Sequence, residues 1–294
     1  MEIREIMDSQ PREVIRIVEP ETVTDGAGVR LQRSIASRAL DYLDPFLLLD
    51  HFGSDNPDDD IAGFPMHPHR GIETVTYMLA GAVNHRDSLG NAGSIEAGDV
   101  QWMTGGGGIL HEEMPERREG EMAGFQLWVN LPAKLKMTAP RYREFASGHI
   151  PQLERDDGTK IRVIAGCVDG IEGAITGIAA DPTYLDVSLP AGGSFVQPVE
   201  KGHTVFAYLF QGEGLFGLDS DGTGDTVGQS TLVVFGDGNY VNIKAIEQPV
   251  RFLLVSGKPL CEPIVRYGPF VMNTIEEIEQ ALFDLRNGTF VQEL

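Results

Sequence analysis

Short runs of β-branched and aromatic residues are the feature that most restricts how this chain can fold. Residues 72–79 form such a run, and Gly81 follows it; residues 14–18, 100–103 and 125–131 are further examples. The 294 residues include 35 glycines, and few long stretches show helical periodicity. Short strands joined by tight turns are typical of an all-β barrel or sandwich.

The length of the chain favours two domains over one large β fold, which is the alternative. Residues 202–212 repeat the pattern of residues 71–81, an apolar run between two glycines, as two copies of one fold would. Between them, residues 133–140 break the strand rhythm and carry positive charge. We therefore predict an N-terminal domain over residues 1–140 and a C-terminal domain over residues 141–294.

One short helix is predicted near the C-terminus. Asn273 can cap its first turn, Glu276 completes a capping-box pair, and Gly288 ends it. Apolar residues recur at helical spacing between these ends: Ile275, Ile278, Leu282 and Leu285.

The formal net charge of -21 argues against direct binding to nucleic acid or to anionic membranes, because it repels phosphate. No apolar stretch reaches the roughly 18 residues of a membrane span, and the N-terminus lacks the apolar segment of a secretory signal. We expect a soluble cytoplasmic protein. Cys167 and Cys261 have apolar neighbours, which predicts buried thiols and no disulfide framework.

Two closely spaced pairs of potential metal ligands stand out. His67 and His69 are two residues apart, as are His111 and Glu113, so within a strand each pair projects from one face. Three imidazoles and one carboxylate suit Fe(II), Mn, Ni, Cu or Zn better than Ca or Mg. A single histidine is more often structural, but two pairs together favour a metal site.

Glu73 competes for the carboxylate position, because it shares strand parity with His67 and His69. We favour Glu113 and keep Glu73 as a neighbour of the ligands or an extra ligand. Glu112 has the opposite parity and is excluded. The four remaining histidines are interpreted as structural: His51, His85, His149 and His203.

Two glycine-rich motifs could suggest nucleotide binding. Residues 105–108 are four glycines before Ile109, but no Lys-Ser or Lys-Thr follows, so a tight turn is predicted. Residues 212–217 match a dinucleotide pattern, yet a polar loop stands where the helix should begin, so this match is rejected.

With these motifs in hand, the sequence resembles the pirin family of the cupin superfamily over nearly its whole length. The resemblance rests on residues 67–77, on residues 98–115, and on the run 268–274 near the C-terminus. It implies two cupin-like β-barrels, a bicupin, with one metal in the first barrel held by His67, His69, His111 and Glu113. We expect Fe(II), with Mn, Ni, Co, Cu or Zn as alternatives.

The second barrel is expected to be metal-free. Aligning Gly81 with Gly212 places Pro198 and Glu200 where His67 and His69 stand, and His203 alone cannot form a site.

The resemblance implies two functions. The first is a quercetin 2,3-dioxygenase type of oxygenase, acting on an aromatic or enediol substrate and O₂, with Glu113 as the catalytic base. The alternative is a non-enzymatic, metal-dependent regulatory protein that acts through a protein partner. An oxygenase needs a cavity beside the metal, for which the candidate apolar lining residues are Phe64, Met66, Trp102, Met103 and Trp128, although such residues more often form plain core.

Overall fold

The structure, a computed structural model, describes residues 10–54, 62–116, 122–219 and 221–291. It divides the chain into two compact units. The first unit joins residues 21–149 to residues 260–294, and the second joins the chain up to Pro20 to residues 150–259.

Short strands make up most of both units, as the sequence pattern predicts. Numbered along the chain, the first twelve are β1 (Val14–Val18), β2 (Glu21–Asp25), β3 (Val29–Ile35), β4 (Phe46–Ser54), β5 (Phe64–His69), β6 (Ile72–Ala80), β7 (Ala82–Asp87), β8 (Ala92–Glu96), β9 (Val100–Thr104), β10 (Ile109–Pro115), β11 (Met122–Asn130) and β12 (Arg141–Phe145). The others are β13 (Gln152–Glu154), β14 (Lys160–Ala165), β15 (Cys167–Val168), β16 (Ile171–Glu172), β17 (Thr183–Leu189), β18 (Ser194–Pro198), β19 (Thr204–Gln211), β20 (Gly214–Phe216), β21 (Asp225–Val227), β22 (Thr231–Phe235), β23 (Tyr240–Ala245), β24 (Val250–Gly257), β25 (Val265–Tyr267) and β26 (Phe270–Met272).

The first unit contains a seven-stranded sheet and a four-stranded sheet, with all pairs of neighbouring strands antiparallel. The strand order is β12-β9-β6-β11-β4-β3-β2 in the larger sheet and β5-β10-β7-β8 in the smaller one. Side chains from the two sheets meet inside the unit, since Thr76 on β6 is hydrogen-bonded to Glu113 on β10. The hairpin β25–β26 and the helix α1 (Ile275–Asn287) complete this unit.

The second unit repeats the same arrangement. Its larger sheet has the order β1-β22-β19-β24-β17-β14-β13, and its smaller sheet the order β18-β23-β20-β21. Strand β19 takes the place of β6, so the sequence echo between residues 71–81 and 202–212 reflects two copies of one topology. A cluster of buried aliphatic and aromatic side chains from both sheets fills the interior of this copy.

Each unit is built from two separate stretches of chain, whereas the predicted division at residue 140 uses continuous domains. The first strand, β1, pairs with β22 in the second unit and occupies the edge that β12 occupies in the first. Residues after Leu260 return to the first unit. Strand pairing between distant segments leaves no local signal in the sequence, which is why the simple division misses it.

The terminal helix is confirmed, but its cap lies one residue later than predicted. Thr274, in an extended backbone conformation, accepts a hydrogen bond from the backbone N–H of Glu277, and the Glu277 carboxylate accepts one from the N–H of Thr274. The Asn273 amide instead donates to Pro263 O over 2.9 Å. Gly288, with φ of 71°, ends the helix as expected.

Two buried cations fasten the C-terminal stretch to the rest of the first unit. The Lys136 ammonium donates to Gly71 O, Asn130 Oδ1 and Val271 O over 2.7 to 2.9 Å. The Arg70 guanidinium donates to Gly107 O and to Asp284 on α1, each over 2.7 Å. Because Arg70 follows His69 directly, the end of β5 is held in place by the C-terminal helix.

Both cysteines differ from the prediction in one respect. Cys167 and Cys261 are free thiols, as expected, but both are exposed rather than buried. Apolar neighbours in the sequence therefore did not indicate burial, because each cysteine lies at the end of a strand or in a loop. Within the described residues, no helix is long and apolar enough to cross a membrane.

Lys136→Met should destabilise the protein, because it removes the cation that donates to three buried oxygen acceptors. We expect the free energy of unfolding to fall by about 1–3 kcal/mol, measured by denaturant unfolding. Lys134→Met, at an exposed position two residues away, is the matched control and should change it by less than about 0.5 kcal/mol. Equal effects of the two substitutions would contradict this role for Lys136.

Candidate metal centre

The register between β5 and β10 brings the predicted ligands together. His67 stands directly opposite His111 in this antiparallel pair, and His69 stands opposite Ile109. His67 and His69 share one face of β5 because alternate residues of a strand do so. Strand β5 contains Pro65 and Pro68, which it tolerates as the edge strand of its sheet.

The three histidines converge closely. A ligand nitrogen from each of His67, His69 and His111 lies within 4.8 Å of the other two, and the Nε2 atoms of His67 and His69 are 3.0 Å apart. Two nitrogens about 2.0–2.1 Å from one ion are about 3 Å apart when they bind at right angles. His67 Nδ1 lies 2.9 Å from Pro65 O. When Nδ1 donates to that oxygen, Nε2 is left as the acceptor that a metal would use.

The electrostatic surroundings favour neutral imidazoles. Burial, together with the neighbouring His67, holds the pKa of His69 well below its ordinary value. Burial followed by the other histidines does the same for the pKa of His111. Both ring nitrogens of His111 are buried without a hydrogen-bond partner. Such orphaned nitrogens are costly unless a ligand satisfies one of them, and a transition-metal ion fits this donor set.

Glu113 lies beside the histidines with its carboxylate already oriented. It is two residues from His111 on β10, it lines the same cavity, and the Thr76 hydroxyl donates to its Oε1 over 2.9 Å. The same hydroxyl lies 2.9 Å from the side-chain oxygen of Gln126. The cluster with mutual distances within 4.8 Å contains the three histidines only, so Glu113 as the fourth ligand stays a prediction.

The other carboxylates are placed elsewhere. Strand β5 ends at His69 and β6 begins at Ile72 in the other sheet, so the parity that linked Glu73 to the histidines does not continue through the turn. Glu73 lies on the face of β6 opposite to Thr76 and accepts a hydrogen bond from Thr104 over 2.8 Å; burial raises its pKa. Glu112, whose parity predicts that it points away from the histidines, accepts a hydrogen bond from Arg86.

The four glycines before His111 form the predicted turn between β9 and β10. Gly106 and Gly108 have φ of 50° and 141°, and a Cβ on either would collide with a backbone oxygen, of Thr138 or of Phe290. The turn therefore requires glycine, and it carries the chain into the strand that holds His111.

A narrow cavity of about 70 Å³ lies beside His67 and His69, and it adjoins a wider opening of about 550 Å³ that both histidines also line. The wider opening is within the range of about 300–1,000 Å³ that small-molecule sites occupy. Phe64 and Trp128 line it, as expected. Met66 is 43% exposed, and Trp102 and Met103 are buried in the packed wall instead. The sequence did not indicate the polar part of the lining, which includes Thr76, Gln126, Arg33 and Asp50. The sequence signal that could have indicated this polar lining is the presence of polar residues at alternate positions of otherwise apolar strands.

The four remaining histidines lie outside the cluster. His51 stacks on Phe125 with ring centroids 4.6 Å apart, and burial lowers its pKa to about 4. His85 is paired with Glu144 over 2.6 Å, but it stands directly opposite Glu113 across β7 and β10. It is therefore closer to the site than the sequence suggested.

Strand pairing identifies the equivalent positions of the second unit. Gln197 stands opposite Val241 as His67 stands opposite His111, and Ile243 takes the place of Glu113. The counterparts of His67 and His69 are thus Gln197 and Val199, not Pro198 and Glu200. The loop between β18 and β19 is longer than the one between β5 and β6. Aligning Gly81 with Gly212 without allowing for this longer loop therefore shifts the alignment of β18 with β5 by one residue.

Two seven-plus-four-stranded copies of one fold, one of them with converging histidines, define a bicupin with a candidate metal centre in its first unit. The comparisons agree: the family model described as Pirin matches residues 28–129, and the one described as Pirin C-terminal cupin domain matches residues 184–291. The chain belongs to the pirin family. The prediction of an all-β, cupin-like fold with a short C-terminal helix is confirmed.

Relatives match over nearly the full length. A Pseudomonas aeruginosa protein that carries quercetin 2,3-dioxygenase as a provisional name is 46% identical, with 94% of this chain and 97% of the relative covered. Human pirin is 43% identical over 90% of this chain and 89% of its own. The crystal structure of quercetin 2,3-dioxygenase from Acinetobacter baumannii superposes with a TM-score of 0.86 and 34% identity, covering 95% of this chain and 98% of the other.

His69→Ala and Glu113→Ala should each lose bound metal, because each removes one donor from a set of four. We expect the metal content of the purified protein, measured by elemental analysis, to fall well below one ion per chain. His149→Ala removes an exposed histidine outside the cluster and should retain the wild-type content. Full stoichiometry in the first two variants would refute the site.

Proposed function

We propose that this protein is a metal-dependent dioxygenase that cleaves flavonols such as quercetin, with Fe(II) at the three histidines and Glu113. The observation that carries the proposal is an opening large enough for a small molecule that leads to the converging imidazoles and is lined by two of them, His67 and His69. The provisional name of the Pseudomonas relative and the Acinetobacter structure support the same reaction. Mn, Ni, Co, Cu and Zn are the alternative metals, because the donor set accepts each of them.

A transition-metal ion in this site would supply Lewis acidity and redox chemistry toward O₂. The protein's own residues position the substrate. Phe64 and Trp128 provide apolar walls for a planar aromatic molecule, and Leu48 and Phe52 extend them inward. Holding both reactants in such a cavity supplies proximity and orientation.

Glu113 is placed to act as the base. The Thr76 hydroxyl donates to Oε1 and so orients the carboxylate. When its bond to the metal loosens, the carboxylate can accept the proton of the substrate's enol hydroxyl. Glu113 is buried as a residue, so bulk water does not compete strongly for its carboxylate. Ring cleavage then consumes one O₂, and carbon monoxide leaves.

The protein loaded anaerobically with Fe(II) should consume O₂ when quercetin is added, in a ratio of one O₂ per quercetin. We expect this from the cavity and the four donors, and an oxygen electrode with simultaneous flavonol absorbance measures it. Protein loaded with Mn, Ni, Co or Cu provides the comparison. Absence of turnover in every metal form would overturn the enzymatic proposal.

That outcome would favour the alternative, a regulatory protein that acts through a protein partner. The net charge of -21 would then suit a partner with a basic patch.

Glu113→Gln tests the role of the carboxylate as base, because the amide keeps an oxygen donor but cannot accept a proton at neutral pH. We expect the rate of O₂ uptake per bound metal to fall about 10²-fold or more. Metal content is measured on the same sample, so loss of the ion is separated from loss of the base. An unchanged rate per metal would assign the proton transfer to another group.

A further inference from the structure

One arginine at the mouth of the cavity has no carboxylate within ion-pairing distance among the described residues. The guanidinium of Arg266 lies over the ring of Trp128, with its carbon 5.0 Å from the ring centroid. Its described hydrogen bonds are long ones, from NH1 to Leu47 O over 3.3 Å and from Nε to Gly268 O over 3.4 Å. No carboxylate of the described residues forms an ion pair with it within 4.0 Å.

Three carboxylates act on Arg266 through their charge, namely Asp41, Asp50 and Asp25. Two of them, Asp50 and Asp25, are already engaged by Arg33. Arg33 binds Asp50 through Nε and NH2 over 2.8 and 2.7 Å, and its NH2 also binds Asp25 over 2.7 Å. Burial, followed by the like charge of Arg33, lowers the pKa of Arg266.

Arg266 is connected to the histidine site through Trp128. The Trp128 ring meets the His69 ring edge to face, with centroids 5.1 Å apart. Arg266, His67, His69 and Trp128 line one opening, and the last three of these also line the inner cavity. A molecule with one end at the histidines therefore passes Trp128 and reaches Arg266 at the mouth.

We propose that Arg266, placed over the Trp128 ring, is a binding site for an anionic group on the substrate, such as a carboxylate, a sulfonate or an ionised phenol. The planar guanidinium matches such oxyanions with paired N–H donors, and NH2 together with one proton of NH1 is available for this. The inference rests on the proposed function, which places the aromatic or enediol end of the substrate at the histidines. It adds that the outer end carries negative charge.

The test uses two fluorescent flavonols that differ by one carboxylate group, 3-hydroxyflavone and 4′-carboxy-3-hydroxyflavone. Dissociation constants are measured by fluorescence titration without O₂, so no turnover is needed. Wild-type protein should prefer the carboxylated probe, and the preference should shrink as salt is added. Arg266→Gln should reduce that preference about tenfold, and Arg266→Lys should restore part of it.

Arg30→Gln is the matched control. It removes an exposed positive charge from β3, where Val29 and Leu31 on either side line the cavity and Arg30 does not. It should leave the preference within twofold of wild type, and circular dichroism and metal content verify the fold of each variant.

Three outcomes separate this inference from the proposed function. A preference that is unchanged in Arg266→Gln, or equally changed in Arg30→Gln, overturns the anion site. Failure of both probes to bind wild-type protein overturns it together with the proposed class of substrate. Loss of the preference in Arg266→Gln without any O₂ uptake supports the anion site while the dioxygenase proposal fails.

Discussion

The register of two antiparallel strands is the constraint on which the candidate site depends. His67 faces His111 across β5 and β10, and strand alternation then places His69 and Glu113 on the same side. A shift by one residue would turn every one of these side chains to the opposite face. The register is maintained at the end of β5 by Arg70, which binds Gly107 O in the turn before β10 and Asp284 on α1.

The two units show what distinguishes a site from a core built on the same topology. Inside the first unit, Thr76, Gln126 and Asp50 form a row across neighbouring strands. Their counterparts in the second unit are Ala207, Leu254 and Leu185, which belong to the apolar cluster that fills the interior. Polar side chains thus accompany an open cavity in one copy, and aliphatic side chains close the other.

The ligand histidines could be predicted because their relation is local: a spacing of two residues within a strand suffices. The strands, the glycine turn and the terminal helix could be predicted for the same reason, since their signals are local. The predicted cap of the helix is one residue too early, because Asn273 and Thr274 are both good caps. The role of Glu73 was open because the break between β5 and β6 is not apparent from sequence parity. Arg266 was missed because the return of the C-terminal stretch to the first unit brings it to Trp128.

The central claim is that His67, His69, His111 and Glu113 bind one transition-metal ion. X-ray absorption spectroscopy of protein loaded with one equivalent of Fe(II) tests it most directly, because the spectrum reports the number and type of donors. The account predicts three imidazole nitrogens and at least one oxygen at about 2.0–2.2 Å. A spectrum with fewer than two imidazoles, or with oxygen donors alone, would contradict it.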